Sequence, residues 1–142
     1  MDINREQINL RIQEIQQNLE KIKRLTELSE ENILRNEDKI AALKYYLLES
    51  IEAAVGICNH LNAKVLKKAP ESYADCFVNL VEGDIINEDL AKRLVQMANF
   101  RNLLVHHYYR IEDEKIVHYA RQDLKDFDDF IFAIADFMKN ES

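Results

Sequence analysis

The residues best suited to chemistry crowd into one stretch, Arg101 to Arg110, which reads RNLLVHHYYR. Two of the chain's four histidines, His106 and His107, follow an apolar Leu103-Leu104-Val105 run, and Tyr108 and Tyr109 come directly after. An imidazole titrates near neutral pH and can take or give a proton. A guanidinium stays charged and grips phosphate oxygens in a planar fork. Such groups suit RNA cleavage. One group takes the proton of the ribose 2′-hydroxyl, one protonates the leaving 5′-oxygen, and a cation stabilises the phosphorane. Two copies of His106 would fill the acid and base roles and Arg101 the third, with no metal required. Tyr108 and Tyr109 would stack on bases, as aromatic side chains do in holding single-stranded RNA. The plainer reading of the same stretch is the polar end of a core helix.

A helix opened by Asn87 must carry these groups. On an ideal helix from Asn87 to Tyr109, Leu90, Leu94, Met97, Phe100 and Leu104 define the apolar side. Arg101 and Tyr108 nearly overlie one another at its flank, so Arg101 needs an anionic or hydrogen-bonding partner, because an unpaired buried charge is very costly. Asn102, His106 and Tyr109 share another face. Arg101 and His106 are five residues apart, roughly 140° round the helix. They meet only if the helix is distorted, or if two copies face each other across a symmetric dimer. Between Asn87 and Arg110 four basic residues outnumber two acidic ones, a local excess of positive charge in a chain of net charge −7.

The remaining elements also read as helices. Ile8, Ile12, Ile15, Leu19, Ile22, Leu25 and Leu28 recur at three- and four-residue spacing, predicting a first helix from Asn4 to Leu28. That stripe suits either intramolecular packing or a second subunit. Ser29 opens a short turn through Arg35. Asn36 then opens a long helix to about Ala69, striped by Ile40, Leu43, Leu47, Ile51, Ala54, Cys58, Leu61 and Val65. Ala53, Ala54 and Gly56 would let another helix approach closely. Asn59 and His60 on this helix could orient a ligand. Ser72 caps a shorter helix with Gly83 as its C-terminal glycine. A loop at Glu112-Asp113 precedes a last helix from about Glu114 to Lys139.

Two glycines and one proline in 142 residues leave little punctuation for strands. The expected fold is all-α, an antiparallel bundle of four main helices plus short ones, in a single domain covering residues 1–142. The acidic net charge disfavours non-specific nucleic-acid binding, so RNA work needs a local basic patch. Cys58 and Cys76 have no metal-site spacing and form no CxxC, and are expected to be buried reduced thiols. No signal peptide and no apolar run long enough for a membrane span is evident, which points to the cytoplasm.

The stretch FRNLLVHHYYRI fills the pattern Arg-x-x-x-x-His-x-Tyr with Arg101, His106 and Tyr108. Together with AALKYYLLESIEAAVGICNHL, PESYADCF, LAKRLVQMANFRNLLVH and DEKIVHYARQDLKDFDDF, it makes nearly the whole chain resemble the HepT-like toxins of the HEPN superfamily, found in HEPN/MNT toxin–antitoxin pairs. The resemblance implies an all-helical homodimer whose two motifs form a composite cleft. It implies metal-independent cleavage of tRNA or mRNA, with Arg101 and His106 as the catalytic pair. Asn102 takes the polar position after the arginine. No cofactor is implied. Tyr108 becomes the tyrosine to which a cognate MNT-domain nucleotidyltransferase antitoxin attaches AMP. Asn59 and Tyr109 are expected to support the site or contact RNA, and His107 to be structural.

Two other readings stand beside this one. The chain could be a non-catalytic substrate- or nucleotide-binding subunit of an MNT-type nucleotidyltransferase, or a purely structural helical dimer.

Overall fold

The structure is a computed structural model that describes residues 3–105 and 110–141, the side chains of Arg110 and Ile111 excepted. Every regular element among the described residues is helical. The first helix, α1, spans Arg5–Leu25, and the Asn4 side chain caps it by accepting from the Gln7 amide at 3.0 Å. Ile8, Ile12, Ile15, Leu19 and Ile22 are buried along it, as the spacing predicts. The helix stops three residues short of the expected Leu28. There the Thr26 hydroxyl donates back to the Ile22 carbonyl at 2.9 Å, a side-chain bond that competes with helix continuation.

Helix α2, Glu30–Leu34, is capped by Ser29, and α3, Glu37–Leu61, by Asn36. The contacts of α1 with α3 run in opposite directions along the two helices. Asn4 meets His60, Arg11 lies against Gly56, Asn18 bonds Glu49, and Lys21 sits over the Tyr46 ring. The pair is therefore antiparallel.

The long helix does not remain α-helical to Ala69. After Leu61 it widens into a π-helical turn, Asn62–Leu66, and stops where Lys67 adopts a left-handed φ of 56°. Asn62 is the physical reason. Its fully buried amide donates to the Cys58 carbonyl at 2.9 Å and the Cys76 carbonyl at 3.1 Å, and its oxygen accepts from Asn79 at 2.7 Å.

Helix α4, Tyr73–Glu82, is capped by Ser72. Gly83 does sit at its C-terminus, but with φ −86° it is not the left-handed residue; that role falls to Asp84, at φ 60°. Helix α5, Glu88–Asn99, starts at the Asn87 cap. It was expected to run on to Tyr109, and is instead interrupted at Phe100 before the short α6, Arg101–Val105. The Phe100 amide is shared between the Gln96 and Met97 carbonyls at 3.0 and 3.2 Å. With φ −60° and ψ −20°, this is a tightened, 3₁₀-like turn.

Two helices, α7 (Arg110–Gln122) and α8 (Lys125–Asn140), replace the single last helix expected from Glu114 to Lys139. Glu112 and Asp113 lie in the first turn of α7 rather than in a loop, where their charge suits the helix dipole. Buried Lys44 on α3 pairs with Asp113 at 2.9 Å and holds α7 there. Arg5 completes the closure of the bundle, donating to the Met138 and Glu141 carbonyls at the end of α8. The core centres on Phe77, Phe127 and Phe130, with Phe77 and Phe130 edge to face at 6.1 Å. No described helix is long and apolar enough to cross a membrane.

Candidate active site

Arg101 opens α6 immediately after the tightened turn at Phe100, and a chain of contacts sets its position. On α5, Arg93 pairs with Asp126 at 2.8 Å and Asp129 at 3.0 Å on α8. Burial works against its charge, but the hydrogen bonds to Asp126 and Asp129 outweigh it and raise its pKa. Asp126 also accepts from the buried Tyr119 hydroxyl at 3.2 Å, and Tyr119, its pKa pushed up by burial and then by Asp126, stays a neutral donor. The Tyr119 ring stacks on Phe100 with centroids 4.8 Å apart. The residue at the kink is thus clamped by α7 and α8, and the arginine after it leaves a fixed support.

Arg101 is half-exposed, and it finds the anionic partner its place beside the apolar face demands. Its Nε donates to Glu52 Oε1 on α3 at 2.5 Å. This bond, and then the Glu52 charge, raise the arginine's pKa. The two terminal nitrogens of the guanidinium bond no described residue. One edge of the fork is anchored while the other remains available to an oxyanion.

Beside Arg101 lies a cleft of about 490 Å³ between α3, the start of α4 and the end of α5, whose lining includes Val55, Asn59, Tyr73, Val95 and Asn99. Asn59 is exposed on α3, seven residues beyond Glu52 and so on the same face. Its oxygen accepts from the Cys76 thiol at 3.2 Å. Asn99 closes the cleft two residues before Arg101. Asn102 is exposed on α6.

The structure therefore brings Arg101 and Asn59 to one region of the surface and adds Glu52, which the sequence reading did not single out. A signal for Glu52 existed: Arg101 required an anion, and Glu52 shares its helix face with Asn59. His106, His107, Tyr108 and Tyr109 lie outside the described residues, so the other half of the expected pair has no geometry here. His60 is committed elsewhere, its Nε2 accepting from the Asn4 amide at 3.0 Å. Burial, then the charges of Lys64 and Arg11, lower its pKa. Cys58 and Cys76 are buried free thiols, as expected. Burial, and then hydrogen bonding with Cys76, push the Cys58 thiol far up, so it is no nucleophile.

Fold and site together define an all-helical domain that presents an anchored arginine at a helix kink beside a polar-edged cleft. The chain belongs to the ribonuclease HepT-like family, whose model matches residues 15–134. It is 34% identical over 83 residues to the mRNA nuclease HepT of Shewanella oneidensis, a match covering 58% of this chain and 62% of the nuclease. That segment is less than two thirds of the relative's length. Over 101 residues it is 32% identical to a protein of Archaeoglobus fulgidus named as an RNase, covering 70% of this chain and 76% of the other. In fold it matches the tri-AMPylated Shewanella oneidensis HEPN toxin solved in complex with its MNT antitoxin. That match has a TM-score of 0.83 and 26% identity, over 94% of this chain and 98% of the toxin.

Proposed function

We propose that this protein is the ribonuclease toxin of a toxin–antitoxin pair, cleaving RNA without a metal at a composite site formed by two copies of the chain. Arg101 grips the scissile phosphate. His106 of one protomer takes the proton from the ribose 2′-hydroxyl. The freed oxygen attacks phosphorus, and His106 of the other protomer protonates the departing 5′-oxygen, leaving a cyclic phosphate on one fragment. Asn102, Asn59 and Tyr109 support the RNA. The single observation that carries this reading is the Arg101 guanidinium, anchored through Nε by Glu52 while its terminal nitrogens bond no described residue. Family membership supports it.

The cognate MNT-domain nucleotidyltransferase would neutralise the toxin by attaching AMP to Tyr108. A phosphodiester placed close to Arg101 adds bulk and a negative charge, which would occlude RNA and compete for the guanidinium.

Purified protein is expected to cleave single-stranded RNA in EDTA. His106→Ala should abolish cleavage, and Arg101→Ala should lower it by roughly 10²–10³-fold, as loss of a donor to a developing oxyanion does. Full activity in a pure His106→Ala preparation would reject the assignment. After coexpression with the antitoxin, intact-mass analysis should find added adenylyl mass, lost in Tyr108→Phe.

A further inference from the structure

A second arginine in this region has a seat but bonds no described residue. Arg11, half-buried on α1, lies across α3 at Gly56. A Cβ built on that glycine would meet the Arg11 Nη1 at 2.7 Å and the guanidinium carbon at 2.8 Å. The space a side chain would fill on α3 is thus occupied by the guanidinium itself. Arg11 Nε is buried and unbonded, and no described residue forms an ion pair or hydrogen bond with this guanidinium. Ala53 and Ala54 are buried on α3, and at Gly56 the room left by the missing side chain is taken by the Arg11 guanidinium.

Such a cation inside a stable fold needs an anion from elsewhere, because a half-buried charge without one forfeits its hydration. Its location says which. Gly56 is one helical turn beyond Glu52, the residue that anchors Arg101. Glu52 and Gly56 lie about 6 Å apart along α3, so the two arginines dock on neighbouring turns of one helix. Lys64, exposed two turns further along, extends the positive row. A chain of net charge −7 here presents cations in line with its candidate active site.

We propose that Arg11, seated over Gly56, is a second phosphate clamp that binds the RNA backbone next to the phosphate held by Arg101. The inference rests on the ribonuclease reading and adds to it a binding subsite and a strand path along α3. Arg11 would act on binding and leave the chemical step to Arg101 and His106.

The test uses the full-length His106→Ala protein, so the RNA stays intact, and a fluorescein-labelled single-stranded RNA followed by anisotropy across a salt series. Arg11→Met should weaken binding several-fold and make the salt slope shallower by about 0.7, the value for one phosphate contact on a single strand. Arg11→Lys should keep most of that slope. Gly56→Ala should copy Arg11→Met without removing a charge, since its methyl displaces the far end of a flexible side chain. Thermal midpoints of these variants should be unchanged or raised, because a buried unpaired nitrogen is lost or moved. An unchanged affinity and slope in a folded Arg11→Met or Gly56→Ala variant would overturn the clamp and leave the ribonuclease reading standing. If Arg11→Met instead alters only self-association in sedimentation, the missing anion belongs to a second copy and the clamp is wrong. Absence of RNA binding by the parent protein, at any salt, would remove the ribonuclease reading and the clamp with it.

Discussion

Arg101 carries a charge that no physiological pH removes, and its neighbours decide what that charge can do. Glu52 takes Nε, and the terminal nitrogens bond no described residue. An arginine held this way loses less rotamer freedom on gripping a phosphate than a free one would. Glu52 is therefore a positioning residue with a measurable role. Glu52→Ala should lower RNA cleavage by about tenfold through a misplaced guanidinium, with Glu52→Gln falling between it and wild type because the amide oxygen still accepts from Nε. Initial rates on a labelled RNA decide this. Equal rates for all three proteins would mean that the contact does not serve the reaction. The same reading explains why Glu52 escaped attention as a sequence feature. An exposed glutamate on a long helix is ordinary until the residue opposite it is known.

At the scale of elements, two departures from ideal helix geometry shape the site. The turn at Phe100 tightens α5 and re-aims the segment that carries Arg101. The π turn at Asn62–Leu66 widens the end of α3 and sets the approach to α4, whose start lines the cleft. Caps and stripes were legible from sequence because they are local. Asn4, Ser29, Asn36, Ser72 and Asn87 each accept from the amide three residues on, as their types and positions foretell. The interruptions were not legible, because each depends on a partner far along the chain: Tyr119 beneath Phe100, and Cys76 and Asn79 around Asn62. The π turn should be fragile for that reason. Asn62→Leu strands the Asn79 amide and takes a second donor from the Cys58 and Cys76 carbonyls, and should cost about 1–3 kcal/mol in urea unfolding. A loss under 0.5 kcal/mol, roughly the scale of an indifferent surface change, would show that the network does not hold the turn.

For the whole molecule, the bundle is closed by long-range polar clasps around its apolar core. Arg5 binds the end of α8, Lys44 holds Asp113, and His60 receives the Asn4 amide where the start of α1 meets the end of α3. The last clasp is pH-sensitive. His60 has a folded pKa below its unfolded value of about 6.5, owing to burial and then to Lys64 and Arg11. The unfolded chain therefore binds the proton more readily. The stability from this contact is fully present above the unfolded pKa and is lost as pH falls through the folded one. The thermal midpoint should drop more between pH 7 and pH 5 in wild type than in His60→Gln. Parallel curves would show that the clasp contributes nothing to the pH dependence. His60 thus ties the start of α1 to the end of α3.

The sequence by itself determined the helical class, the apolar stripes and the caps, because these depend on residue type at short, regular spacing. It also marked Arg101 as a charge in need of a partner, since the helix period alone puts that residue beside an apolar face. Which carboxylate answers it, where the helices tighten or widen, and that Gly56 serves to seat Arg11 were decided only by tertiary structure. Each of those is a meeting between residues dozens of positions apart, and no local period records which distant side chain will arrive.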